Sequence, residues 1–329
     1  MRPPSRRDAS ARHGLVAVVG PTATGKSALG LALAERFGGE IIACDSTAVY
    51  RGLDIGTDKV PSADQRGIPH HLVDLVGVTE TYSAARYAQD AAAVLRDVAA
   101  RGRLPVLVGG TGFYYRALVR GLFPGPARDE ALRARLDRVA VGRGVEALHR
   151  WLARVDPASA SRIQPRDQKR LVRALEVYLV TGRTLTSHFA ETASPISGWD
   201  VLTIGVNLPR ALLLPRVAAR VDAQFAAGVV EEVRALMARG VPATAHAFSG
   251  LVYRQVVEML QGHRDEAATR ALIVQENMRY ARRQLSWFRK EPGVHWIDGP
   301  GESAAAIEAA SVLSEAPGLD HLSSNPHRP

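Results

Sequence analysis

The chain predicts an α/β protein, a parallel sheet with helices on both faces, interrupted by an all-helical insertion. Short apolar runs alternate with helical periodicity at the front of the chain and again near its end. Runs of about five wholly apolar residues mark strands buried on both faces, which is the habit of parallel sheets. Between them a long stretch shows helical periodicity and no convincing strand.

In chain order, Leu15–Val19 reads as a strand and Gly25–Phe37 as a helix, followed by a strand over Glu40–Cys44. A helix is expected over Ser83–Ala100, a buried strand over Leu104–Val108 and a helix over Thr111–Val119. From Leu122 to Ala190 the pattern is helical, with Phe123-Pro124-Gly125-Pro126 punctuating its start and Thr192–Gly198, which contains Pro195, its finish. A strand over Val201–Val206 returns to the sheet. Helices are then expected from Pro209, Gly228, Gly250 and Ala267, and Val294–Ile297 reads as a last strand. The expected organisation is a disordered tail over 1–13 and a core over 14–121 and 199–300. The helical insertion occupies 122–198, and a C-terminal helix with a flexible tail occupies 301–329. No repeat at a period of about 20–50 residues is evident.

The chain has 329 residues, 46% of them hydrophobic, which is enough for a packed core. No apolar run approaches the roughly 20 residues of a membrane span, and the basic, Pro-containing start lacks the apolar stretch of a secretory signal. One cysteine, Cys44, excludes a disulfide framework and a cysteine-rich zinc site. A cytoplasmic location without membrane contact is expected. The net charge of +9 and pI near 10.1 favour an anionic partner.

Gly20-Pro21-Thr22-Ala23-Thr24-Gly25-Lys26-Ser27 matches G-x-x-x-x-G-K-[ST], and it follows an apolar strand and opens a helix, as that motif requires. The core is therefore P-loop NTPase-like. Loop N–H groups and the helix N-terminus attract phosphate oxygens, Lys26 adds a full charge, and the Ser27 hydroxyl can ligate Mg²⁺. The loop specifies an anion cradle, not a reaction. Nucleotide hydrolysis calls for an acid after a second strand, and Leu104–Val108 runs instead into Gly109-Gly110-Thr111-Gly112. Asp45-Ser46 follows Glu40–Cys44. At the carboxyl end of a parallel strand, Asp45 lies in the ligand crevice, as a metal ligand, a base, or the cap of a turn.

These pieces, with others, resemble the tRNA dimethylallyltransferases, or tRNA isopentenyltransferases, over roughly residues 14 to 300. The further pieces begin with Tyr50, Gly52-Leu53-Asp54-Ile55-Gly56-Thr57, Lys59, Pro69-His70-His71-Leu72-Val73-Asp74 and Tyr82-Ser83-Ala84. Then come Tyr114, Tyr115, Arg170–Val177, Thr181-Gly182, Tyr253-Arg254-Gln255, and Arg282-Arg283-Gln284 with Trp287-Phe288-Arg289. The resemblance implies that Gly20 through Ser27 hold dimethylallyl diphosphate together with Arg220. It also implies that Asp45 is the base near the acceptor amine and that Thr111 sits beside it, with Lys26 serving the leaving group. The implied product is a dimethylallyl group on N6 of the adenosine 3′ of the anticodon, position 37, in tRNA. Mg²⁺ is the expected cofactor, the tRNA anticodon stem-loop the expected partner, and a monomer the expected state. Two departures stand out. The family usually has Gly where this chain has Val252, and Thr-Arg where it has Asn277-Met278.

The candidate tRNA contacts are Asp45, Ser46, Thr47, Ala48, Thr111, Arg133, Lys169, Arg170, Arg173, Arg279 and Arg282. Arg166, Arg170 and Arg173 are spaced to share a helix face, as are Arg279, Arg282 and Arg283, and Arg216 shares one with Arg220. Each stripe alone is more often a solvated surface, and the first two together on a chain of this charge favour phosphate contacts. His70 and His71 are neighbours without a completing acid or thiol, so a loop-ordering role is expected and not a metal. Trp151, Trp287 and Trp296 read as core. The alternatives are a P-loop kinase of a small metabolite and an isopentenyltransferase acting on free adenine nucleotide.

Overall fold

A computed structural model describes residues 13–123 and 125–315. The tails expected over 1–13 and after Glu315 lie outside the described residues, except His13. The chain folds into two compact units, one up to Val119 and from Ile196 onward, the other Arg120–Pro195.

The first unit is built on six parallel strands, β1 Gly14–Val19, β2 Gly39–Ala43, β3 His70–His71, β4 Leu104–Gly109, β5 Asp200–Asn207 and β6 Val294–Asp298. Their order is β3-β2-β4-β1-β5-β6, with Val16 paired to Val106 on one side and Leu202 on the other. All residues of β1 and β4 are buried, as their unbroken apolar runs require. Strand β3 was not expected, because two residues are too few to show a period. Among the described residues three α-helices precede the insertion: α1 Lys26–Phe37, α2 Ala84–Ala100 and α3 Gly112–Val119. Ser83 is the N-cap of α2, accepting from the Arg86 amide, and so lies just outside the helix.

The second unit holds α4 Glu130–Arg143, α5 Val145–Val155, α6 Pro157–Arg162, α7 Gln168–Thr181 and α8 Leu185–Ala190. Leu136, Leu148, Leu152, Leu171 and Leu175 form its core. Glu176, fully buried, accepts from Arg133 at 2.7 Å and from Arg173 at 2.7 Å. Burial pushes the Glu176 carboxyl up, but the two guanidiniums outweigh it and hold it at about 2. Arg166 precedes α7, whose N-cap is Asp167, and pairs with Glu146 at 3.0 Å. The expected face of Arg166, Arg170 and Arg173 therefore begins only at Arg170.

The first unit is completed by α9 Arg210–Ala226, α10 Val229–Ala238, α11 Tyr253–Leu260, α12 Glu266–Phe288 and α13 Ala304–Ser314. Helix α11 starts at Tyr253 and not at Gly250. Val252 ahead of it has φ +74°, a backbone setting that no α-helix tolerates and that a β-branched residue rarely adopts. Helix α13 packs beneath the sheet with α1, through Ala306 and Ala310. Trp151, Trp287 and Trp296 are half-buried; Trp151 packs against the core of the second unit, and the Arg116 guanidinium stands 4.6 Å over the Trp287 ring.

Candidate active site

Because every strand is parallel, the loops after β1, β2 and β4 leave the same edge of the sheet. These are the segments from Gly20, from Cys44 and from Gly110. They border a cleft of about 990 Å³ in the first unit, whose walls also include Asp58, Arg220, Tyr280, Arg283, Gln284 and Glu302.

The phosphate loop closes over its own geometry. Gly25 is the N-cap of α1 at φ +89°, and a Cβ there would stand 2.0 Å from Glu302 Oε2 and 2.8 Å from the Gly301 nitrogen, so only glycine fits. Gly301 donates its amide to the Thr24 carbonyl at 2.8 Å, which pins the segment after β6 to the loop. Lys26 donates from Nζ to the Pro21 carbonyl. Burial of its ammonium, with the Arg220 charge beside it, lowers Lys26 to about 7, against the pull of Asp45. Ser27 is exposed at the first turn of α1.

Helix α9 brings two arginines one turn apart to this loop. Arg220 donates to the Thr22 hydroxyl at 2.8 Å and pairs with Asp58. Arg216 donates from Nε to the Ala23 carbonyl at 2.8 Å and pairs with Glu302 at 2.6 Å. Asp58 also accepts from Gln224 at 3.0 Å, and burial raises its carboxyl despite Arg220. The guanidiniums, Lys26 and the helix N-terminus form a concentrated positive field at one end of the cleft.

Asp45 stands on another wall. Its Oδ1 accepts from the Thr47 amide at 2.8 Å, the Thr47 hydroxyl at 2.6 Å and the Ala48 amide at 3.3 Å. That oxygen caps the following turn, so the cap reading holds for half of the carboxylate. The described residues place no hydrogen bond on Oδ2. Thr111 accepts from the Ser46 amide through Oγ1 at 3.1 Å, joining the loop after β4 to the Asp45 loop. Tyr280 of α12 lies against the same groups. Burial, and then the Asp45 charge, push its phenol up to about 12, partly offset by the polar Thr111 side chain beside it, so it is neutral at ordinary pH.

The structure thus gathers Thr22, Ala23, Gly25, Lys26, Ser27, Asp45, Ser46, Thr47, Ala48 and Arg220 around one cleft, with Gly20, Pro21 and Thr24 completing the loop and Thr111 tied to Ser46. Arg279 and Arg282 are exposed on α12, and Arg279 pairs with Glu276 at 2.6 Å. Arg133, Lys169, Arg170 and Arg173 belong to the second unit, where Arg133 and Arg173 are held by Glu176 and Lys169 and Arg170 are exposed. At the departures, Asn277 lines the cleft and donates to the Ile273 carbonyl at 2.9 Å, and Met278 packs with Ala23 against Leu208, Leu213 and Val217. His71 pairs with Glu40 at 2.7 Å, and His70 bonds the Ile68 carbonyl at 2.9 Å, consistent with loop ordering.

Sequence reasoning passed over Asp58, Tyr280 and Glu302, and it named Gln284 within a family motif without giving it a role. One signal existed for Gln284. It falls on the buried stripe of α12 with Ile273, Ala281 and Phe288, and a polar residue on such a stripe has a partner to satisfy.

Residues 48–291 match the family profile described as IPP transferase. The chain is 44% identical over 304 residues to the tRNA dimethylallyltransferase of Koribacter versatilis, covering 91% of this chain and 97% of that one. It is 47% identical over 300 residues to the tRNA dimethylallyltransferase of Acidothermus cellulolyticus, covering 91% and 92%. Among solved structures, the full-length tRNA isopentenylpyrophosphate transferase of Bacillus halodurans superposes with a TM-score of 0.70 at 33% identity, over 96% of this chain and 100% of that one. A eukaryotic dimethylallyltransferase acting on tRNA shares the fold, with a TM-score of 0.76 at 24% identity over 96% of this chain and 81% of that one.

Proposed function

The chain belongs to the IPP transferase family, and from that premise we propose that it moves a dimethylallyl group from dimethylallyl diphosphate to N6 of the adenosine 3′ of the anticodon, position 37, of tRNA. It is an enzyme, a prenyltransferase, as its curated relatives are named. The observation that carries the reading is the pairing, in one cleft, of an anion cradle with a carboxylate whose Oδ2 accepts no hydrogen bond from the described residues.

The bond between the allylic carbon C1 and the diphosphate oxygen breaks, and its electron pair leaves with the diphosphate. The lone pair of N6 forms the new C–N bond, and the proton released from N6 passes to Asp45. Adenine N6 is a weak nucleophile because its lone pair is delocalised, so most of the acceleration comes from stabilising the leaving diphosphate. Loop N–H groups, Lys26 and Arg220 supply that field. Asp45 Oδ2 accepts from the amine, and Thr111 orients it. The base must leave its stack to reach the cleft, and an anticodon loop offers such a base.

Mg²⁺ fits the donor set. Among the described residues no group of three or more His, Cys, Asp or Glu side chains could hold a metal ion. Mg²⁺ asks for less, because it keeps several waters and takes substrate phosphate oxygens, and in a phosphate loop of this type a Ser or Thr hydroxyl joins them. The exposed Ser27 hydroxyl would hold it beside the diphosphate, where it supplies positive charge to the leaving group.

The exposed cations Lys169 and Arg170 of the second unit and Arg279 and Arg282 of the first are each assigned to tRNA phosphates, as are Arg133 and Arg173, anchored by Glu176. The proposed state is a monomer. No described helix is long and apolar enough to cross a membrane, and a tRNA substrate puts the enzyme in the cytoplasm.

The test is transfer of radiolabel from dimethylallyl diphosphate to unmodified tRNA with Mg²⁺, native protein against Asp45→Asn. Asparagine keeps the oxygen that caps the Thr47 turn and removes the base. Label at position 37, reduced about 10²–10⁴-fold in the variant, is expected. Absence of label on any tRNA, with the diphosphate bound, overturns the reading. Phosphate transfer from ATP to a metabolite would instead favour a kinase.

A further inference from the structure

Gln284 reaches from α12 into the gap between two loops. Its Oε1 accepts from the Thr22 amide of the phosphate loop at 2.8 Å, and its Nε2 donates to the carbonyl of Gly110, the residue before Thr111, at 2.9 Å. The side chain is buried, and the two partners settle its orientation, since an N–H must face the oxygen and a carbonyl the nitrogen. The fit is close. A Cβ on Gly110 would stand 2.2 Å from Nε2 and 3.1 Å from the Gly20 carbonyl oxygen. The loops therefore approach each other nearly backbone to backbone, with the amide wedged between them.

The two loops have different tasks. The phosphate loop holds the group that leaves, and the Gly110–Thr111 loop, through Thr111 and Ser46, braces the segment that carries Asp45. Resting on the transfer reaction above, we propose that Gln284 is a positioning residue, which fixes the separation of the two loops and so the distance between the allylic carbon and N6. It touches neither reacting atom. Near-attack geometry requires about 3–3.5 Å between reacting atoms, and a misplacement of about 1 Å costs on the order of 10²-fold in rate.

The position asks for an amide. Alanine breaks both bonds. Glutamate, almost the same shape, keeps an acceptor for the Thr22 amide but turns an oxygen toward the Gly110 carbonyl, so it retains one loop and releases the other. The measurement is single-turnover transfer of label at saturating dimethylallyl diphosphate and tRNA, for the native protein, Gln284→Ala and Gln284→Glu. Affinity for each substrate is read separately, and so is the share of label released as dimethylallyl alcohol, formed when water takes C1 in place of N6 and gives its proton to solvent.

The saturated rate is expected to fall about 10²-fold in both variants, with the alcohol share rising and tRNA affinity unchanged within about 3-fold. A saturated rate within about 2-fold of native in folded Gln284→Glu overturns the positioning role. So does a loss confined to diphosphate affinity, with no rise in alcohol. If Gln284→Ala fails to fold, the near-isosteric glutamate variant decides. A native protein that transfers no label fails the reaction itself, and the positioning role with it. An active native protein with fully active variants overturns the positioning role alone.

Discussion

The Arg220 guanidinium donates to the Thr22 hydroxyl at 2.8 Å while also pairing with Asp58. Helix α9 and the phosphate loop are thus joined before any substrate arrives, and Asp58 neutralises a charge intended for diphosphate. Arg220→Ala should raise KM for dimethylallyl diphosphate about 10–100-fold, since a hydrogen bond to a charged group contributes about 1.5–3 kcal/mol. Steady-state kinetics at saturating tRNA check this, and an unchanged KM would place Arg220 outside the diphosphate site.

Lys26 sets a pH dependence. Burial and Arg220 lower it to about 7, so in the free protein it is charged below that pH and neutral above it. Diphosphate selects the charged form. The value of kcat/KM for the diphosphate should therefore fall as pH rises through about 7, and binding near neutrality should take up a proton. Calorimetry in buffers of different ionisation enthalpy measures the uptake. Lys26→Arg, charged at every accessible pH, should lose this alkaline limb.

Val252 carries backbone strain at the cleft wall, at φ +74° and 3% exposed. Replacing a buried helical valine by glycine costs about 3 kcal/mol, from lost burial and helix propensity together. At Val252 the relief of about 1–3 kcal/mol of strain offsets most of that. Thermal melts of Val252→Gly and of Val256→Gly, a fully buried helical control, should separate the two, with the first costing under about 1 kcal/mol.

Glu176 holds the helical unit together from inside. Glu176→Ala should destabilise that unit by about 2–3 kcal/mol, less than for a fully enclosed pair because both arginines keep contact with water. The contribution is present above the ordinary carboxylate range and is lost as pH falls through about 2, where the carboxyl is held. Hydrogen exchange localised to Arg120–Pro195 reads both effects.

The sequence by itself determined what lies close along the chain. Five of the six strands showed in the sequence, most plainly β1 and β4, because a strand buried at every residue leaves a nearly unbroken hydrophobic record. The phosphate loop showed in eight consecutive residues, because a loop shaped by its own backbone needs glycines at fixed spacing. Asp45 was placed by its position after a strand, with its role as base, ligand or cap left open. Only the tertiary structure decided the rest. It divided the Asp45 carboxylate between a turn and the cleft, and it anchored Arg133 and Arg173 on the buried Glu176. It also set Gln284 between Thr22 and Gly110, partners 262 and 174 residues away in sequence. Such contacts leave no period in the chain, because they depend on which side chains the folded sheet and its helices bring within about 3 Å of one another.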